Sequence, residues 1–271
     1  MRNWTMVALP LALAMTVTAC SAEITSDSKD GKRTVEAGPV TTQSFDLKDF
    51  TGVKVAGPDD VTIRHGEAFA ITAKGPKNEL DELEIKLDGD VLSIGRKRSG
   101  FSFNSHDGKG LQIEITLPKL DKLRLTGSGS IDADSIEGDA VEAVVTGSGD
   151  LKVAKLSGKS AELTISGSGD IEIGGGTIGT GDYNVTGSGS IDADGLIADT
   201  LDISITGSGD VDAQATGAAD VSILGSGDAN ISGGGRRGAM SAKRATSASC
   251  RALNWSAYSG RRPAWRWSSS H

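Results

Sequence analysis

Aromatic residues make up only 4% of this 271-residue chain, and where the sequence is most regular they all but vanish. Between residues 126 and 232 there is one, Tyr183, with no Trp, Phe, His, Cys or Met. Carbohydrate clefts commonly use aromatic platforms, so this absence counts against a sugar cleft in that region. Without His and Cys, the region also lacks the familiar metal-ligand spacings and nucleophile–base pairs. Basic residues are scarce there too: three against 18 acidic groups, a net of −15. Such a surface repels nucleic acid and anionic lipid and attracts cations or basic partners. Long hydrophobic runs are missing as well. The apolar stretch Met6 to Val17 is too short to span a bilayer comfortably.

What is present is repetition. A tetrapeptide recurs as Thr126-Gly127-Ser128-Gly129, Thr146-Gly147-Ser148-Gly149, Ser166-Gly167-Ser168-Gly169, Thr186-Gly187-Ser188-Gly189, Thr206-Gly207-Ser208-Gly209 and Leu224-Gly225-Ser226-Gly227. Five copies start at 20-residue intervals and the sixth 18 residues after the fifth. Each unit continues with an apolar position (Ile131, Leu151, Ile171, Ile191, Val211) and closes on an alternating pair such as Leu163 and Ile165. Period-two alternation marks strands with one buried face, and Gly, Asp and Ser between them supply turns. A period of about 20 residues holds two or three short strands with their corners, one coil of a parallel β-solenoid. Equivalent residues then stack at roughly 4.8 Å, which makes the aliphatic positions an internal ladder and the glycines a corner ladder. A phosphate-cradling loop would need a helix after the glycines, and for the P-loop a Lys-Ser/Thr pair. Neither follows any copy.

The N-terminus reads as a targeting segment. Arg2 precedes the apolar stretch, which ends Val17-Thr18-Ala19-Cys20-Ser21. That ending resembles a bacterial lipobox. It implies a signal peptide over residues 1–19, lipidation of Cys20, and an anchor holding the protein to a membrane on the extracytoplasmic side. Ser21, in place of Asp, favours outer-membrane sorting if the source is Gram-negative. Residues 20–42 are polar without hydrophobic period and read as a flexible tether. After Gly233-Gly234-Gly235 the character changes again. Residues 233–271 carry eight basic groups and no acid, with Cys250 and three of the four tryptophans. This tail is expected to be disordered, as a shifted reading frame would make it; a basic aromatic tail could also meet a membrane, a nucleic acid or the acidic repeats.

Residues 43–125 alternate less regularly. Val53 with Val55, Val61 with Ile63, Ile71 with Ala73, Leu83 with Ile85 and Leu87, Leu111 with Ile113 and Ile115, and Leu123 with Leu125 mark strands; Lys77 to Leu83 fits a short helical turn. These irregular coils are expected to run straight into the regular repeats of 126–232 and cap them. Here a family resemblance emerges. Phe50-Thr51-Gly52-Val53-Lys54-Val55, Asp60-Val61-Thr62-Ile63-Arg64-His65-Gly66, Leu83-Glu84-Ile85, Asp90-Val91-Leu92-Ser93-Ile94 and Ile113-Glu114-Ile115-Thr116-Leu117-Pro118, followed by the Gly-Ser-Gly units, resemble the bacterial autotransporter-adhesin head GIN domain family over about residues 44–232. The resemblance implies an all-β, right-handed parallel β-helix in the cell envelope. A rigid rod with repeated polar ladders is then expected to act as a non-catalytic binding, adhesin-like or structural module, with an envelope polysaccharide or protein as its partner.

Two other readings stay open. Calcium could be held by the stacked carboxylates Asp150, Asp170, Asp210 and Asp228, although Ser130 and Ser190 interrupt that column and Lys152 breaks the next one (Asp132, Glu172, Asp192, Asp212). Calcium-binding solenoids also keep a nine-residue period, which this chain does not. A polysaccharide-processing β-helix would need clustered Asp with Arg or Lys in a groove. His65 lies in a turn and His106 in the polar stretch Ser99 to Gly110; with His271 they form no catalytic order. The basic stretch Arg96 to Asn104, with Phe101 and Phe103, reads as a surface excursion or contact loop. No catalytic residue, cofactor or nucleic-acid partner is expected.

Overall fold

The computed structural model describes residues 39–97, 110–233 and 240–244, the last for backbone only. Strands β1 (Val40–Phe45), β2 (Gly52–Gly57), β3 (Asp60–His65) and β4 (Ala70–Pro76) lead to the short helix α1 (Lys77–Glu82). Then come β5 (Leu83–Asp88), β6 (Val91–Arg96), β7 (Gln112–Leu117) and β8 (Lys122–Gly127). The regular part holds β9 (Ser130–Gly147), β10 (Asp150–Gly167), β11 (Asp170–Ile173), β12 (Gly176–Gly187), β13 (Ser190–Gly207), β14 (Asp210–Ala215), β15 (Ala219–Gly225), β16 (Ala229–Ser232) and β17 (Met240–Arg244).

The repeats are a β-solenoid of parallel coils. β9 and β10 stack in three registered stretches: Ser130–Ala133 on Asp150–Val153, Ser135–Gly138 on Lys155–Gly158, and Ala140–Gly147 on Ser160–Gly167. Each coil therefore has three faces, bent where the register pauses. Inward positions form unbroken apolar columns. Leu125, Val145, Ile165, Val185 and Ile205 make one, each nearly or wholly excluded from solvent. The 18-residue unit loses its length on the second face, where Gln214 stands opposite Ile197 after a register shift.

Stacking order departs from chain order in the first half. On the first face the strands lie β1-β4-β7-β3-β9-β10-β11-β13-β14-β16; on the third they lie β5-β6-β2-β8-β9-β10-β12-β13-β15-β17. The β2–β3 coil, early in sequence, is thus inserted between the later β6–β7 coil and the first repeat. It is itself a degenerate repeat. Gly57 pairs with Gly127, Val61 with Ile131, and Gly57-Pro58-Asp59 takes the place of Gly-Ser-Gly. The expectation of irregular coils running straight into the repeats needs this correction. The cap consists of β1, β4 and β5, which pair antiparallel with their neighbours.

Two expected boundaries meet the structure differently. Strand β1 begins at Val40, inside the segment read as tether. Met240–Arg244 pair with β15 as one more rung, inside the segment read as a disordered tail. The signal segment, Cys20 and the rest of the tail lie outside the described residues.

The Gly-Ser-Gly corner has two separate requirements. The first glycine of each copy has positive φ, for example 128° at Gly187, a region closed to most side chains. The second has ordinary φ, but a side chain on it would run into the backbone of the coil below, as at Gly189 against the Gly169 carbonyl. The serine between them is exposed.

One core side chain interrupts the aliphatic pattern. Tyr183 is fully buried in the column of Ala143, Leu163 and Ile203, and its hydroxyl has no hydrogen-bond partner. The ring fits because residue 181 is glycine: a side chain there would begin 2.9 Å from the Tyr183 Cε1. Burial pushes the phenol pKa upward, since the charged form would lose its hydration. An unsatisfied buried hydroxyl costs free energy, so Tyr183→Phe is expected to stabilise the protein by about 1 kcal/mol in urea unfolding.

Candidate functional site

Three outward columns carry most of the polar chemistry. The first lies just after the Gly-Ser-Gly corner and reads Asp60, Ser130, Asp150, Asp170, Ser190, Asp210, Asp228 along the stack. It contains all four expected calcium candidates, but as two pairs, because Ser190 separates Asp150 and Asp170 from Asp210 and Asp228. The serines are bonded into the column. Ser190 Oγ donates to Asp170 Oδ1 at 2.7 Å, and Ser130 Oγ to Asp60 Oδ1 at 2.7 Å. Two residues along, the second column reads Thr62, Asp132, Lys152, Glu172, Asp192, Asp212, Asn230. Here Lys152 Nζ meets Glu172 at 2.6 Å, and Asn230 donates to Asp212 at 2.9 Å. The hydrogen bond and charge of Glu172 hold the Lys152 ammonium pKa above its ordinary value. Both columns are laid down by β-register alone.

The third column was not singled out from the sequence. On the third face, Lys122, Glu142, Glu162, Asp182, Asp202 and Asp220 stand in register on successive strands. Five carboxylates follow one another without interruption. Arg124 lies 2.5 Å from Glu142, and Asn184 donates to Asp182 at 2.7 Å. Among the described residues, no cation lies within salt-bridge distance of Glu162, Asp182, Asp202 or Asp220. At strand spacing in water each adjacent like-charged pair costs about 0.9 kcal/mol before salt screening. The sequence held the signal: each of these acids immediately precedes the first residue of the closing apolar pair.

A groove of about 580 Å³ runs along this column. Its acidic side is Glu142, Glu162, Asp182 and Asp202, and its other side carries Ser160, Thr180 and Thr200. Between them lie Val141, Ala161, Gly181 and Leu201, all buried. The lower end is closed by Lys122, whose ammonium bonds Asp90 at 2.9 Å. That hydrogen bond, more than any other influence, holds the Asp90 carboxyl below the usual carboxylate range.

Arg96, the first residue of the basic stretch, is placed differently from its expected surface role, whereas Lys97 beside it is exposed. The Arg96 guanidinium turns inward, donating to Asp59 Oδ1 at 2.5 Å and to Glu79 Oε2 at 2.6 Å. Asp59 is fully buried and also accepts from the Leu111 amide at 2.8 Å. This network ties the degenerate corner to the cap; it is structural. Residues 98–109, with Phe101, Phe103 and His106, lie outside the described residues, as does His271. His65 ends β3 exposed. Among the described residues, no three His, Cys, Asp or Glu side chains gather as metal ligands would.

A family model described as "Putative auto-transporter adhesin, head GIN domain" matches residues 49–235. No curated protein matches the chain. Among solved structures, a putative adhesin from Bacteroides fragilis NCTC 9343 is 20% identical with a TM-score of 0.63, over 76% of this chain and 94% of that one. A putative adhesin from Parabacteroides merdae ATCC 43184 is 23% identical with a TM-score of 0.60, over 76% and 93%. A putative lipid binding protein from Parabacteroides distasonis ATCC 8503 is also 23% identical with a TM-score of 0.60, over 76% and 94%. At these identities the likeness is one of fold.

Proposed function

The chain belongs to the head GIN domain family, and from that premise we propose that it is a lipid-anchored envelope protein acting as a non-catalytic binding module. Cys20 carries the lipid, residues 20 to about 39 form the tether, and the solenoid is held extracytoplasmically, on the outer membrane if the cell is Gram-negative. The observation that carries this reading is the display of polar side chains in columns repeated at one spacing. Weak contacts made by successive coils with a repetitive polymer add through effective concentration. An envelope polysaccharide or protein is the partner class such a surface suits. The acidic repeats disfavour nucleic acid.

Two measurements test it. Cys20→Ser is expected to abolish incorporation of labelled fatty acid and to release the protein from the membrane fraction; unchanged membrane association would overturn the anchor. The full chain is expected to bind at least one envelope polymer in a glycan and polymer screen run with calcium and with chelator. Binding that survives chelation separates the polar columns from a calcium requirement. No binding in either condition removes the adhesin-like reading.

A further inference from the structure

We propose that the groove beside the third column is a docking surface for an extended segment of a partner protein bearing alternate lysine or arginine residues, lying along the stacking axis. The inference rests on the reading of the chain as a binding module and names the chemistry of its partner. Charge complementarity carries it. The first two columns interrupt or pair their acids with Ser130, Ser190 and Lys152, whereas Glu142 to Asp220 form an unbroken rail with two cations, Lys122 and Arg124, at one end. Four strand intervals make that rail about 19 Å long.

The groove supplies what a carboxylate row alone lacks. Val141, Ala161, Gly181 and Leu201 are buried in the core, so the backbone between the two outward rows forms a low floor that an extended chain can approach closely. The hydroxyls of Ser160, Thr180 and Thr200 face the rail from the other side and can bond a peptide backbone. Because the groove crosses strands already paired above and below, the ligand lies across them and adds no strand to a sheet. An extended chain rises about 3.3 Å per residue, so about six residues cover the rail, with three cations on its side.

The test is fluorescence anisotropy of a labelled (Lys-Ser)4 peptide with the full chain at low ionic strength. The triple variant Glu162→Gln, Asp182→Asn, Asp202→Asn is expected to weaken binding by about tenfold or more. The triple variant Asp150→Asn, Asp170→Asn, Asp210→Asn, an equal charge change on the first face, is expected to alter it by less than about twofold. Removing like charges held in register should leave the groove variant melting at or above its parent, so weakened binding would not reflect unfolding.

No binding, or equal loss in both variants, overturns the proposal. Displacement of the peptide by calcium beyond its contribution to ionic strength would give the groove to a cation. Tighter binding of a peptide of residues 245–271 than of the probe would give it to the chain's own basic tail. Each of these also overturns the assignment. If the probe fails while an envelope polymer binds the parent, only the docking assignment falls and the binding-module reading stands.

Discussion

Gly187→Val is expected to prevent the repeats from folding as one stack. The backbone at Gly187 has φ of 128°, which a β-branched residue reaches only with strain. The new side chain would also start inside the Gly167 carbonyl of the coil below. Strain and overlap together cost on the order of 4 kcal/mol or more, a large share of what holds a domain together. In a solenoid each coil is stabilised through its neighbours, so one lost corner uncouples both sides of the stack. Limited proteolysis and thermal unfolding check this. The variant should be cleaved within 126–232 and lose its cooperative transition. Ser188→Ala, at the exposed residue next door, should change stability by no more than about 0.5 kcal/mol. A stable Gly187→Val protein would mean that the corner tolerates a different turn.

Arg96→Ala is expected to be the second most damaging change, by about 3–5 kcal/mol. Removing the guanidinium leaves the Asp59 carboxylate fully buried, with the Leu111 amide as its remaining hydrogen-bond donor among the described residues. Arg96→Lys should recover little, because one ammonium cannot span Asp59 and Glu79 as the planar fork does. Adding Asp59→Asn to Arg96→Ala should restore part of the loss by removing the stranded charge. Urea unfolding of the single and double variants measures the coupling. Additive effects would show that Arg96 acts through packing alone.

Much of the architecture could be read from particular residues. The 20-residue return of Gly-Ser-Gly and the alternation through Leu163 and Ile165 specify strands, inward faces and coil length, because β-structure has a side-chain period of two and coils stack in register. The columns of Asp150 and of Asp132 followed from that alignment. So did Glu142, Glu162, Asp182, Asp202 and Asp220, which stand at one position of every unit. Alternation by itself marks only the buried partner of each pair, so it does not single them out.

Other features depend on contacts between residues distant in the chain. Nothing local in Gly57-Pro58-Asp59 says that it is a coil corner lying directly under Gly127; the insertion of β2 and β3 beneath β8 and β9 brings that about. Arg96 belongs to a basic surface stretch until the cap folds α1 and the Asp59 corner over it, 17 and 37 residues away in sequence. The sequence by itself determined the repeat, its faces and the sign of its charge, since these are periodic and set within each unit. Only the tertiary structure decided the order of the first coils, the buried Asp59–Arg96 pair and the groove beside the acidic rail. Those depend on which strands become neighbours, and non-local pairing leaves no periodic mark on the chain.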